Sequence, residues 1–290
     1  MSSLFRDEAS KAKVRAWHDR FRAKLRCATT SREVPTRFGK THLLQAGDAS
    51  APPLVLLHGA MASSAHLLGE LEVLAERFHV HAVDVIGQSV MSEDARLGVK
   101  GDEAGRWLVD VLDALGLARV RLLGVSWGGF VAQRFAAVAP ERLEKLALLV
   151  PAGMVSGSAW AGFVKMGLPM ATYLFGPNPQ RLQRLGAALL TTLDDDWLPF
   201  IGDAFLAYDV KRMEVPRLSR SGEFAALRAP VLVIGADEDV SFPGAKVVAR
   251  AKELFPTLEA AELLEGVKHS PPTTPEFRAE LGARLLRFFT

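Results

Sequence analysis

The chain has 290 residues, 49% hydrophobic and 23% charged, enough apolar side chain to bury a sizeable core, which excludes a disordered chain and a small disulfide-stapled scaffold. Its 35 Lys and Arg against 33 Asp and Glu leave a formal charge of +2, without the basic excess of a phosphate-backbone binder, so no nucleic-acid partner is expected. The single cysteine, Cys27, excludes an intrachain disulfide and any site needing two thiolates, and it fits a cytoplasmic protein.

Residues 5 to 27 carry Phe5, Val14, Trp17, Phe21 and Leu25 at spacings near three and four, the period of an amphipathic helix. Residues 1–30 are therefore expected as a helix packed on the main body. Asp7, Glu8 and Asp19 dilute its basic face, which reads as solvated rather than membrane-binding. The first ten residues lack the apolar stretch and small-residue cleavage site of an export signal and read as mature protein.

From residue 50 short β-rich apolar runs alternate with helical stretches, the rhythm of a parallel sheet covered on both faces. Strands are expected at Leu54–Leu57, Val80–Val83, Val120–Leu123, Leu146–Val150 and Val231–Ile234, and helices at Glu70–Arg77, Glu103–Leu115 and Phe130–Val138. The class is α/β. About 80 residues separate the last two strands, far beyond the roughly 10 to 12 that a crossover needs. An inserted helical cap over 153–220 is expected, leaving 31–152 and 221–290 as the core. Within the insertion the apolar run Ala159–Phe175 is broken by Lys165, Gly167 and Pro169. It is too short for a membrane span and reads as a buried or interfacial helix pair. No membrane partner is expected.

Four stretches carry chemistry. Gly124-Val-Ser126-Trp-Gly128 places G-x-S-x-G between a strand and a helix, the setting of a nucleophile elbow, where glycines two before and two after the serine leave room for the adjoining elements. Leu57-His-Gly-Ala-Met61 follows the first well-defined strand, and its turn can aim N–H groups at a developing oxyanion; Ala60 and Trp127 N–H form the expected pair. His58, at a strand end ahead of the nucleophile, reads as structural. Strand 231–234 runs into Asp237-Glu-Asp239, any one of which can orient an imidazole, and Gly266-Val-Lys-His269 supplies the natural general base.

The order Ser126, acid, His269 resembles that of the α/β-hydrolase superfamily, from about residue 36 to the C-terminus. The leading helix, Thr36-Arg-Phe-Gly-Lys-Thr-His42, the His58-Gly59 turn and Val83-Asp-Val-Ile-Gly87 resemble its bacterial carboxylesterase branch. The resemblance implies a mainly parallel eight-stranded sheet with a helical cap after the sixth strand. It also implies a Gly-x-x-Asp-x-x-x-Pro pattern at the acid, whereas Gly235 lies eight residues before Pro243 rather than seven. Counting from Val231 or back from Pro243 selects Asp239; counting from Gly235 selects Glu238. Asp239 is taken as the acid.

The expected reaction is ester hydrolysis of small to medium apolar substrates through an acyl-enzyme on Ser126, with His269 as base and Asp239 as its partner, and with no metal or organic cofactor. The protein is expected as a monomer or homodimer. A serine at the elbow argues against dehalogenase and epoxide hydrolase chemistry, which use aspartate there. Amide cleavage is disfavoured because the His-Gly-Gly-Pro-Gly turn of proline iminopeptidases is replaced by His58-Gly-Ala-Met-Ala. The tryptophan that carbon–carbon hydrolases tend to carry just after the histidine is absent, since His269 is followed by Ser-Pro-Pro; that activity is kept as an alternative, and a non-turnover receptor sharing the fold is the third.

Overall fold

The computed structural model describes residues 3–290, so the reading of the first ten residues rests partly on Met1 and Ser2, which lie outside them. Eight strands form one sheet: β1 Thr29–Thr36, β2 Gly39–Ala46, β3 Pro53–Leu57, β4 His79–Val83, β5 Val120–Val125, β6 Leu143–Leu149, β7 Val231–Ala236 and β8 Leu258–Leu264. Their spatial order is β1-β2-β4-β3-β5-β6-β7-β8. The pairs β1/β2 and β2/β4 are antiparallel and the others parallel. The expectation of a mainly parallel eight-stranded α/β sheet holds.

The central strands read as unbroken apolar runs because both faces are covered. Val55, Leu57, Leu122, Leu146, Leu148, Val231 and Val233 point into one core with α3 (Glu103–Leu115), α4 (Trp127–Val138) and α9 (Gly244–Leu254). The alternate residues Leu54, Leu56, Leu123, Ala147, Leu149, Leu232 and Ile234 point into a second core with α1 (Glu8–Ala23), α2 (Ser64–Glu70), α8 (Trp197–Ala207) and α10 (Pro275–Phe289). The strand period of two thus divides one sheet between two cores.

Several boundaries move. The N-terminal helix spans Glu8–Ala23, with Asp7 capping it by accepting from Ser10 N–H at 2.7 Å. The helix expected over Glu70–Arg77 ends at Glu70 and continues as a 3-10 turn, and α4 starts three residues early, at Trp127.

Between β6 and β7 run α5 (Ala159–Gly162), a π-helical turn (Phe163–Gly167), α6 (Leu168–Phe175), α7 (Pro179–Leu189) and α8. The helix pair expected over 159–175 is one nearly continuous rod, since Gly162, Gly167 and Leu168 all keep right-handed helical angles. Pro169 has no N–H for the preceding turn, and the wider π turn takes up the mismatch. Among the described residues no helix is long and apolar enough to cross a membrane.

Candidate active site

Ser126 stands between β5 and α4, next to the centre of the sheet, where successive crossovers diverge to opposite sides and leave a crevice beyond the strand ends. Its angles, φ 51° and ψ −112°, are strained for a residue with a side chain. Hydrogen bonds hold them: Ser126 N–H donates to Leu149 C=O at 3.0 Å, and its own carbonyl accepts from Ala152 N–H at 3.0 Å. The flanking glycines are required by close approach. A β-carbon on Gly128 would lie 2.2 Å from the Leu57 carbonyl oxygen, and one on Gly124 2.5 Å from that of Gly128.

His269 follows β8 in the loop leading to α10, and its Nε2 lies 2.9 Å from Ser126 Oγ. Its Nδ1–H donates to Asp239 Oδ2 at 2.7 Å. Asp239 is 2% exposed, and its other oxygen accepts from Ser241 N–H at 2.8 Å and Phe242 N–H at 3.0 Å. Both oxygens of the Asp239 carboxylate are therefore engaged, which fixes its orientation toward the imidazole. Asp237 and Glu238 are exposed, and Asp237 spends its carboxylate on Val267 N–H. Burial opposes a charge on His269, but the charge of Asp239 and its hydrogen bond outweigh burial and raise the imidazole pKa above its ordinary value.

Ala60 and Trp127 flank the serine, and among the described residues neither N–H has a protein acceptor. Both line the cavity onto which Ser126 and His269 open. The turn that carries Ala60 is strained at Met61, φ 60°, and is anchored by His58. His58 Nδ1–H donates to Gly59 C=O at 2.7 Å, while Nε2 accepts from Val85 N–H at 2.9 Å. With both ring nitrogens used and the side chain 1% exposed, His58 is a buried neutral anchor, its pKa lowered by burial despite the nearby charge of Asp84.

Asp84 is a residue that sequence reasoning missed. It is fully buried at the end of β4, and its oxygens accept from Ser64 N–H at 2.9 Å, Ser64 Oγ at 2.6 Å, Ser89 Oγ at 2.6 Å and His42 Nδ1 at 2.7 Å. Burial opposes its charge, but the His42 hydrogen bond and the nearby His58, His42 and His18 hold its pKa below the usual carboxylate range. The available signal was an aspartate closing an apolar strand, Val83-Asp84.

A second missed group ties the insertion to the histidine loop. Thr191 Oγ1, between α7 and α8, accepts from Lys268 N–H at 2.9 Å and donates to Ser270 C=O at 2.7 Å. Ser270 N–H also donates to Leu189 C=O at 2.9 Å. His269 is thus gripped on both sides.

The cavity holds about 560 Å3, with Leu149, Met166, Met170, Leu189, Ile201 and Phe205 among its apolar walls. Glu70 and Arg278 also line it; Arg278 Nε and Nη2 each donate to Glu70 at 2.6 Å, and Trp197 Nε1 donates to the same carboxylate at 2.9 Å. Of the large apolar side chains expected in the cap, Met166, Met170, Trp197 and Phe205 reach the cavity; Tyr173, Phe200 and Tyr208 are buried in packing, and Trp160, Phe163 and Phe175 face water.

Comparison with known proteins agrees with this architecture. The α/β-hydrolase fold family profile matches residues 52–201, more than half of the chain. An uncharacterized carboxylesterase, nap, of Bacillus subtilis (strain 168) is 26% identical over 271 residues, covering 88% of this chain and 85% of its own. Carboxylesterase YbfK of the same organism is 41% identical over 120 residues, 41% of this chain and 40% of its own. The crystal structure of naproxen esterase (carboxylesterase NP) from Bacillus subtilis has the same fold, with a TM-score of 0.82 at 23% identity over 97% of this chain and 98% of that one. The chain belongs to the α/β-hydrolase fold family.

Proposed function

We propose that the protein hydrolyses carboxylic esters carrying small to medium apolar groups, through an acyl-enzyme on Ser126. The observation that carries this reading is the unbroken hydrogen-bond chain Ser126–His269–Asp239 opening onto an apolar cavity. Its similarity to carboxylesterases along most of its length supports the choice of bond.

In this reading His269 Nε2 takes the Ser126 proton as Oγ attacks the ester carbonyl. Ala60 and Trp127 N–H receive the oxyanion, and Asp239 stabilises the imidazolium that forms. The tetrahedral species collapses as His269 returns its proton to the departing alkoxide, releasing the alcohol. Water then attacks the acyl carbonyl while His269 takes one of its protons. Return of that proton to Ser126 Oγ frees the acid and restores the enzyme. Residues 31–152 and 221–290 act as the catalytic body, and 153–220 as a cap that supplies the wall facing the acyl or alcohol group.

Hydrolysis of a p-nitrophenyl ester series from acetyl to long acyl chains tests the reading. The wild type turns over with an optimum at a chain length the cavity can hold, and rate falls beyond it. Absence of turnover across the whole series overturns it.

A further inference from the structure

The rod formed by α5, the π turn and α6 carries large apolar side chains both toward the cavity and toward water. Met166 and Met170 line the cavity, whereas Trp160, Phe163, Val164, Leu168 and Phe175 are 74, 58, 42, 50 and 93% exposed. Trp160 and Phe163 stand together, their ring centroids 6.3 Å apart. A helix on a water-facing surface normally turns a polar stripe outward. A concentration of exposed large apolar side chains marks a surface that meets another apolar phase.

Charge identifies that phase. The chain as a whole balances its acids and bases, yet between Glu144 and Asp194 it has no acidic residue at all. The basic residues there include Lys165 on the rod and Arg184 on α7, which packs against it, and both are exposed. Exposed aromatic side chains on a stretch of chain whose only charges are cations suit the boundary of a bilayer bearing anionic headgroups. A second copy is the poorer match, because a two-fold interface brings the same cations together.

We propose that this face of the insertion docks on an anionic lipid surface, with Trp160, Phe163 and Phe175 entering the headgroup boundary and Lys165 and Arg184 meeting lipid phosphates. Its use rests on the esterase reading: an ester dissolved in the bilayer would reach the cavity beneath the same rod. This sets aside the expectation of no membrane partner, which rests on the absence of a spanning segment and the solvated face of the N-terminal helix. An outward-facing aromatic patch becomes visible only once the chain is folded.

Co-sedimentation of the full chain with large vesicles tests the proposal without reference to activity. The lipids are phosphatidylcholine alone or with a minority of phosphatidylglycerol. The expected result is binding to the mixed vesicles, weakened by added salt. Trp160→Ser/Phe163→Ser/Phe175→Ser is expected to weaken it about tenfold or more. Lys165→Glu/Arg184→Glu is expected to cost about fivefold per charge on the mixed vesicles. The melting profile of each variant, followed by circular dichroism, should match the wild type because all five side chains lie outside the core. Wild-type protein left in the supernatant at both compositions overturns the proposal. So does a triple aromatic variant that binds as wild type. A wild-type dimer in sedimentation velocity that the triple variant abolishes, with no vesicle binding, assigns the face to self-association and overturns it as well. Failure of ester hydrolysis leaves the binding result standing.

Discussion

At the scale of single residues, the chemistry depends on which form of His269 meets the substrate. In the proposed reaction the neutral ring is the base, and the Asp239 interaction raises its pKa, so kcat/KM should fall on acidification through a midpoint above the ordinary imidazole value. Asp239→Asn removes both raising influences and leaves burial alone. Its acid limb should therefore move to lower pH, while kcat drops by about 10,000-fold through loss of the correct tautomer. A pH–rate profile of both proteins checks this, and an unmoved acid limb speaks against it. By linkage the same pair stabilises the fold most below the unfolded imidazole pKa, and that contribution is lost as pH rises through the folded one. The meeting of Ser126 and His269 was legible because a glycine-flanked serine after an apolar strand and a histidine after the last strand each have local signatures. The carboxylate that bonds His269 was harder to pick out, because Asp237, Glu238 and Asp239 are three adjacent acids. The turn that buries Asp239 and exposes its neighbours separates them only in three dimensions.

At the scale of elements, helices outside the sheet hold the site's parts in place. Thr191 Oγ1 bonds the His269 loop on both sides of the histidine, so it is a positioning residue. Thr191→Val keeps the shape and deletes both bonds, each contributing about 0.5 to 1.5 kcal/mol. The expected result is a kcat lowered about tenfold with KM little changed, and recovery in Thr191→Ser; a Ser variant as impaired as Val counts against positioning. The N-terminal helix α1 packs on α2 and α8 through Trp17 and Phe21. Phe21 lies 4.1 Å from His66 and 5.4 Å from Trp197 between ring centroids. Phe21→Ala should lower the unfolding free energy by about 3 kcal/mol in urea titration; a change within error would show that Phe21 adds nothing to the packing of α1 on α2 and α8. The helix was legible in the spacing of Trp17 and Phe21. The Thr191 contacts were not, because they join residues nearly 80 apart through a backbone geometry that no periodicity encodes.

At the scale of the whole molecule, one twisted sheet orders every functional group. The crevice at the ends of β3, β5, β7 and β8 gathers the Ala60 turn, Ser126, Asp239 and His269 from segments spread over more than 200 residues of the chain. The insertion roofs that crevice, and its inner methionines and outer aromatics belong to one rod. Sheet class and insertion site were legible from alternating strands and the long gap after β6. The antiparallel pairing of β1 and β2 at the sheet edge was not, since β1 is mostly exposed and lacks a continuous apolar run. Whether Ser126 carries the acyl group is decided by reacting the protein with a p-nitrophenyl phosphonate and mapping the adduct by peptide mass spectrometry. One adduct on Ser126, lost together with at least about 10,000-fold of the ester-hydrolysis rate in Ser126→Ala, is the expected result. An adduct on another residue, or ester turnover that survives in Ser126→Ala, would contradict it.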